Sequence, residues 1–205
     1  MKNLTILLFL ILCSCSVEDQ VGKPYQGWHP GEMDIHHIYT GRGEANFFIF
    51  PDATTMLIDA GDHDPAYEDF PYMTKPMPDK SRRSGEWIAR YIERTNPNKT
   101  KVDYLMASHF HSDHTGSINS NAAMTSGRNP DYKLVGMAEV GEWIQFGTSF
   151  DRGYPNYNYP NIVNDAHTQN YLAFIKHHVE HHGLKQEEFK VGKLNQISLK
   201  YKPEK

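Results

Sequence analysis

The segment Ser108-His109-Phe110-His111-Ser112-Asp113-His114-Thr115-Gly116 constrains this chain more than any other. Three imidazoles and a carboxylate fall within six residues, directly behind Val102-Asp103-Tyr104-Leu105-Met106-Ala107-Ser108, which reads as a buried strand. In extended backbone, residues two apart point to one side, so His109, His111 and Asp113 can converge. His114 breaks that alternation and reaches a second position as the chain turns. Thr115-Gly116 then lets the backbone leave. Imidazole together with carboxylate suits zinc, with manganese or iron as the other candidates. The fold must therefore deliver a strand end to an edge where such a loop can be held.

The surrounding pattern supplies that fold. Asp34 to Tyr39, Asn46 to Phe50 and Thr55 to Asp59 read as short strands, separated by turns at Gly41-Arg42-Gly43 and Pro51-Asp52-Ala53. Such close turns imply an antiparallel start. Ala60-Gly61 breaks the third strand, and Asp62 to Arg83, rich in proline and charge, reads as a long surface loop. A helix follows from Ser84, read as its cap, to Asn96, with Trp87, Ile88, Tyr91 and Ile92 on one apolar face. Strand, helix, strand in that order predicts a crossover unit and a layered α/β body. Beyond residue 118 the signals weaken. A short strand over 133–136, a short helix over 138–146, an aromatic loop over 151–161, a helix over 170–182 ended by Gly183, and a last strand within 191–201 are expected.

Composition narrows the chemistry further. The chain has 205 residues, 12 of them His, only 2 Cys, and a formal charge of −4, so it has neither a disulfide scaffold nor the basic excess of a bulk nucleic-acid binder. Lys2 precedes an apolar run over Leu4–Cys13, interrupted by Thr5. That run is too short to span a bilayer as a helix, which needs about 20 residues. A positive start, a short apolar stretch and a polar continuation read as an export signal. Leu12-Cys13-Ser14-Cys15 resembles a bacterial lipobox, with Cys15 as the lipidated residue; cleavage near Ser16 without lipid is the alternative. Residues 1–15 are thus expected to be the address, 16–32 a tether and 33–205 the folded domain of an exported, lipid-anchored envelope protein.

His-x-His-x-Asp-His, as it stands at His109 to His114, resembles the signature of the metallo-β-lactamase fold superfamily. Leu57-Ile58-Asp59-Ala60-Gly61 resembles that superfamily's second conserved element, and Gly41-Arg42-Gly43-Glu44-Ala45 resembles the first turn of the hydrolase domain of DNA-uptake channel proteins. The resemblance spans about residues 34–118. It implies an αββα sandwich with one or two metals at the sheet edge. His109 and His111 would ligate the first, and Asp113 and His114 the second. Asp59 would support the ligand loop. Asp113 would also orient the attacking water and later protonate the leaving group. The subgroup likeness implies a phosphoester substrate rather than a β-lactam.

The superfamily also needs a third first-site histidine, a bridging aspartate and a last histidine, which no motif after His114 supplies. His167, His177, His178, His181 and His182 remain as candidates, with the last four expected on an exposed helix face. Asp151 and Asp165 carry no motif around them, and a core or surface role is expected for His36, His37 and His63. Three accounts fit: a fragment or truncated product of a longer enzyme, which is the expectation here; a compact variant drawing ligands from the helix or a partner subunit; or a degenerate relative used for binding. The lipid anchor is the part of this reading that needs no fold. Metabolic labelling with a radioactive fatty acid should mark the wild-type chain and not a Cys15→Ser variant. Labelling that survives the substitution would remove the anchor.

Overall fold

Strands joined by turns of a few residues must return beside one another, and the first three do. The computed structural model describes residues 21–41, 43–62, 77–118, 124–125, 131–158 and 164–201. Cys13, Cys15, Arg42, His63, Tyr159 and most of the long loop expected after Asp62 lie outside the described residues. Strands β1 (Asp34–His37), β2 (Asn46–Ile49) and β3 (Thr55–Ile58) form an antiparallel meander, with His36 opposite Phe47 and Phe47 opposite Leu57. The pleat sends Phe47 and Ile49 into the core.

Helix α1 (Ser84–Thr95) then crosses over to β4 (Lys101–Ala107), which pairs parallel with β3, Leu57 beside Leu105. Ile88 and Ile92 enter the core, whereas Trp87 and Tyr91 of the same apolar face flank it. Ser84 is already inside the helix; Arg83 occupies the cap position and makes no side-chain cap bond. Asn96 ends the helix by donating to the carbonyls of Lys99 and Lys101 at 2.9 and 2.8 Å.

The rest of the chain follows as α2 (Ser112–Thr115), β5 (Met124–Thr125), β6 (Lys133–Leu134), α3 (Gly136–Trp143), β7 (Gln145–Asp151), α4 (Ala166–His181) and β8 (Lys185–Glu188). The main sheet runs β1-β2-β3-β4-β7-β8, with β3, β4, β7 and β8 mutually parallel, while β5 and β6 form a separate ribbon. Because β1 and β3 both oppose β2, β1 runs the same way as the parallel set. This is a mixed α/β fold, as expected. The main core contains Leu57, Leu105, Ile88, Val140 and Phe174, and joins one sheet face to α1, α3 and α4. Helices α1 and α3 approach so closely that a Cβ on Gly85 would come 2.6 Å from the Cβ of Glu139. Arg83 donates from Nε to Glu139 Oε1 at 2.6 Å across that contact, yet burial still pushes the Glu139 carboxyl up to about 7.

Two expectations are corrected by the structure. The helix expected over 138–146 ends at Trp143, because Ile144 turns the chain into β7. Within β7, Gly147 leaves room for β4: a Cβ there would meet the Asp103 carbonyl oxygen at 2.7 Å. The strand expected within 191–201 does not form. That segment lies against the opposite sheet face, beside Met56, Tyr104 and Phe150. Its amides bond to side chains instead of a strand ladder: Lys200 donates to Thr54 Oγ1 at 2.7 Å and Tyr201 to Asp52 Oδ2 at 2.8 Å. The last strand is β8, whose Lys-Gln-Glu-Glu sequence is polar because it is an edge with one neighbour.

Helix α4 starts four residues earlier than its apolar pattern does. Asp165 caps it, accepting from Thr168 N at 3.0 Å and Thr168 Oγ1 at 2.7 Å, so this carboxylate is a structural residue. An Asp165→Ala variant should lose about 1 kcal/mol of stability, read as a lower urea midpoint with an unchanged slope. An unchanged midpoint would show that the cap contributes nothing.

Candidate metal centre

Two parallel neighbours end at one edge of the sheet, and that adjacency builds the site. Asp59 follows β3 and Ser108 follows β4, and the Asp59 amide donates to the Met106 carbonyl at 2.9 Å. Asp59 is only 3% exposed, so its carboxylate needs partners. It finds three. Ser108 donates from its amide to Oδ1 at 2.8 Å and from Oγ to Oδ2 at 2.6 Å, and His114 donates from Nδ1 to Oδ2 at 2.8 Å. Asp59 takes a left-handed φ of 60° to do this, a conformation uncommon outside glycine, though aspartate adopts it more readily than most residues.

These bonds set the ring tautomers. An ionised carboxylate only accepts, so His114 Nδ1 carries the proton and Nε2 keeps a lone pair. Ser108 Oγ spends its proton on Asp59, so the 3.1 Å contact with His109 Nδ1 is a bond donated by the ring. His109 Nε2 then also keeps a lone pair, and accepts a hydrogen bond from His111 Nδ1 at 3.2 Å, a proton that a shared ion would displace. Two nitrogens bound at usual zinc distances in a tetrahedron sit about 3.3 Å apart. The pair is thus already spaced as two donors to one ion. The three rings cluster, with centroids 3.8 Å apart for His109 and His114 and 4.7 Å for His109 and His111. Burial first, then neighbouring His114 and His111, holds the His109 imidazole below the usual histidine range, favouring the neutral form that ligates.

The alternation expected through Asp113 stops early. Backbone bonds from His114 and Thr115 back to the His111 carbonyl wind Ser112–Thr115 into one helical turn. That turn lifts Asp113 out of the row and swings His114 over His109. The Asp113 carboxylate is 37% exposed, with Oδ2 4.0 Å from His114 Nε2. Among the described residues, no group of three or more His, Cys, Asp or Glu side chains is placed to hold a metal ion. His109, His111, Asp113 and His114 are brought together with Asp59 behind them, and the spaced His109–His111 pair fits a zinc ion.

Glycines let the loop lie this deep. A Cβ on Gly61 would fall 1.9 Å from the Asp113 carbonyl oxygen, and one on Gly43 2.8 Å from the same atom. The Glu44 amide donates to that oxygen at 2.8 Å and the Ala60 amide to the His114 carbonyl at 2.9 Å. On the other side Gly116 and Gly136, at φ 116° and 47°, meet back to back.

The remaining candidates separate by position. His167, at the start of α4, accepts from the Ile118 amide through Nδ1 at 3.2 Å, just past the loop. His177 is ten residues further on, about 15 Å along the helix axis, so His177, His178, His181 and His182 belong to the far end. Their rings group there, His177 to His181 and His178 to His182 each at 4.7 Å; His178 is buried and His181 exposed, so the expected exposed face holds in part. His36 is buried in β1 with Nδ1 3.0 Å from the Tyr91 hydroxyl, and His37 is exposed, its Nδ1 facing Asn46 Oδ1 at 2.5 Å.

Asp151 was the residue sequence reasoning missed. It ends β7 beside Ala107 and is fully engaged, accepting from Gly153 N, Tyr154 N, Tyr157 Oη, Tyr171 Oη and Gln186 Nε2 at 2.7 to 3.3 Å. Burial and then this carboxylate push the Tyr157 and Tyr171 hydroxyls well above the usual tyrosine range. Phe110 packs on both rings, at 6.1 and 5.4 Å, so the cluster walls one side of the loop. The readable signal was a lone acid closing a strand.

Compared with protein-family models and with curated proteins, the chain matches none. The site therefore stands on its own geometry. Replacing Gly61 by Ala should cost about 1–3 kcal/mol, because either the third strand's end or the loop must move. Urea unfolding of Gly61→Ala checks this, and wild-type stability would mean that the loop is not clamped there.

Proposed function

We propose that this chain is a metal-dependent hydrolase built on the αββα sandwich of the metallo-β-lactamase superfamily. The observation that carries the reading is the facing pair His109 Nε2 and His111 Nδ1 at 3.2 Å, with Asp59 fixing the tautomers around it. His109 and His111 would hold the first ion, zinc by donor type, with manganese or iron as the other candidates. Asp113 and His114 would hold a second. Zinc bound there supplies Lewis acidity, polarising a substrate oxygen and bringing the pKa of a water to about 7.

This chain's own residues do the rest. Asp59 holds His114 directly and His109 through Ser108, so ring orientation does not have to be organised during turnover. Asp113, the most accessible carboxylate of the group, is placed to orient the attacking water and then hand its proton to the leaving oxygen. The Asp151–tyrosine wall keeps one side of the loop dry. The likeness of the Gly41 to Ala45 sequence to the first turn of the DNA-uptake hydrolase domain implies an ester-type substrate, a phosphoester rather than a β-lactam. Export and lipidation at Cys15 would place this activity in the cell envelope, held to a membrane.

Metal content and activity test the reading together. Purified full-length chain should carry one to two tightly held zinc ions and hydrolyse bis(p-nitrophenyl) phosphate, and His111→Ala should lose both. Asp59→Asn should bind zinc about 10–100-fold more weakly while staying folded. Wild-type chain with no tightly bound metal would sink the proposal. Loose binding without hydrolysis would instead identify a non-catalytic envelope protein that keeps part of a metal site.

A further inference from the structure

A second concave feature lies along β1 and α1, away from the histidine rings. Its volume is about 620 Å³, within the roughly 300–1,000 Å³ of small-molecule sites. Tyr39, Trp87 and Tyr91 give it aromatic walls, and Arg90 and Arg94 line it as well. One helical turn separates the two arginines, which puts both guanidinium groups on one face. Arg90 shares Glu86 with Arg82, each at about 3 Å. Arg94 makes no ion pair or hydrogen bond with any described residue. Among the described residues no carboxylate lines the groove. Thr40 adds a specific demand. It lines the same groove, is 2% exposed, and its hydroxyl has no hydrogen-bond partner among the described residues. A buried hydroxyl left unbonded costs free energy that a ligand's polar atom would recover.

Topology ties the groove to the histidine edge. Strand β1 runs parallel to β3 and β4, so Ile38 to Thr40 emerge at the edge that carries Asp59 and Ser108. Gly43, a few residues on, packs on the Asp113 carbonyl. One wall of the groove is thus continuous with the backing of the ligand loop.

We propose that this groove binds a planar aromatic anion, its ring system against Trp87 and Tyr91 and its anionic group between Arg90 and Arg94. Arginine suits both tasks, since the guanidinium stacks on flat rings and pairs with oxyanions through paired N–H donors. That the anion is the non-reacting part of the enzyme's substrate rests on the hydrolase reading; the binding itself does not.

Anilinonaphthalene sulfonate serves as the probe, titrated by fluorescence into full-length chain with chelator present so that no metal contributes. Saturable binding of one probe per chain is expected. The double variant Arg90→Gln, Arg94→Gln should weaken it about tenfold and leave binding of the uncharged phenylnaphthylamine unchanged. Trp87→Ala should weaken both probes. His109→Ala and His111→Ala should alter neither, which separates failure of this site from failure of the metal centre. Circular dichroism of each variant confirms that the fold persists. No saturable binding, or sulfonate binding that survives loss of both arginines, overturns the proposal.

Discussion

The buried carboxylate of Asp59 is the interaction on which the rest of the edge depends. A charge taken out of water must be surrounded by donors, and the three it gathers all come from the segment after β4. Satisfying one carboxylate thereby fixes the start of the loop at Ser108 and its far end at His114. The histidines between have little freedom left. The left-handed φ of Asp59 is the local cost of this arrangement, offset by three charge-assisted bonds.

Space is the second constraint. The loop sits against the ends of β1, β2 and β3 because Gly43 and Gly61 present no side chain to the Asp113 carbonyl, and it meets α3 through Gly116 and Gly136. Gly61 needs only room; the other three positions also need a positive φ that side-chain-bearing residues rarely adopt. The Asp151 cluster closes the opposite flank, and the arginine-lined groove opens beyond the Gly41–Gly43 turn. The candidate metal centre and the proposed groove thus collect at the carboxyl ends of parallel strands, where backbone leaves the sheet and side chains can converge.

The first half of the chain was legible because its signals are local. Close turns forced β1 to β3 into a meander, and an apolar run, a helical stripe and a second apolar run forced the crossover to β4. The second half was not. Strand β7 carries small or polar residues at half-buried Gly147, where a Cβ would meet the Asp103 carbonyl oxygen, and at buried Thr148 and Ser149, which erases the apolar period. Strand β8 is polar because one neighbour is all it has. Conversely, Ile197 and Leu199 suggested a strand, yet that stretch satisfies its amides on the side chains of Asp52, Thr54 and Tyr104. Asp165 looked unattached because a cap is defined by where the helix begins, four residues before the apolar pattern.

By itself the sequence determined the donor set: His109, His111, Asp113 and His114, in that order, behind a strand that had to be buried. It also marked Asp59 as their support, through the likeness of its strand end. Which donors face one another was decided by tertiary structure. Strand alternation alone would have grouped His109, His111 and Asp113. Instead a single helical turn set Asp113 aside, and Asp59, 55 residues from His114 in the chain, drew that imidazole over His109. The reason is physical: side-chain direction in a short loop follows whichever buried charge must be satisfied, and the location of that charge is a property of strand pairing.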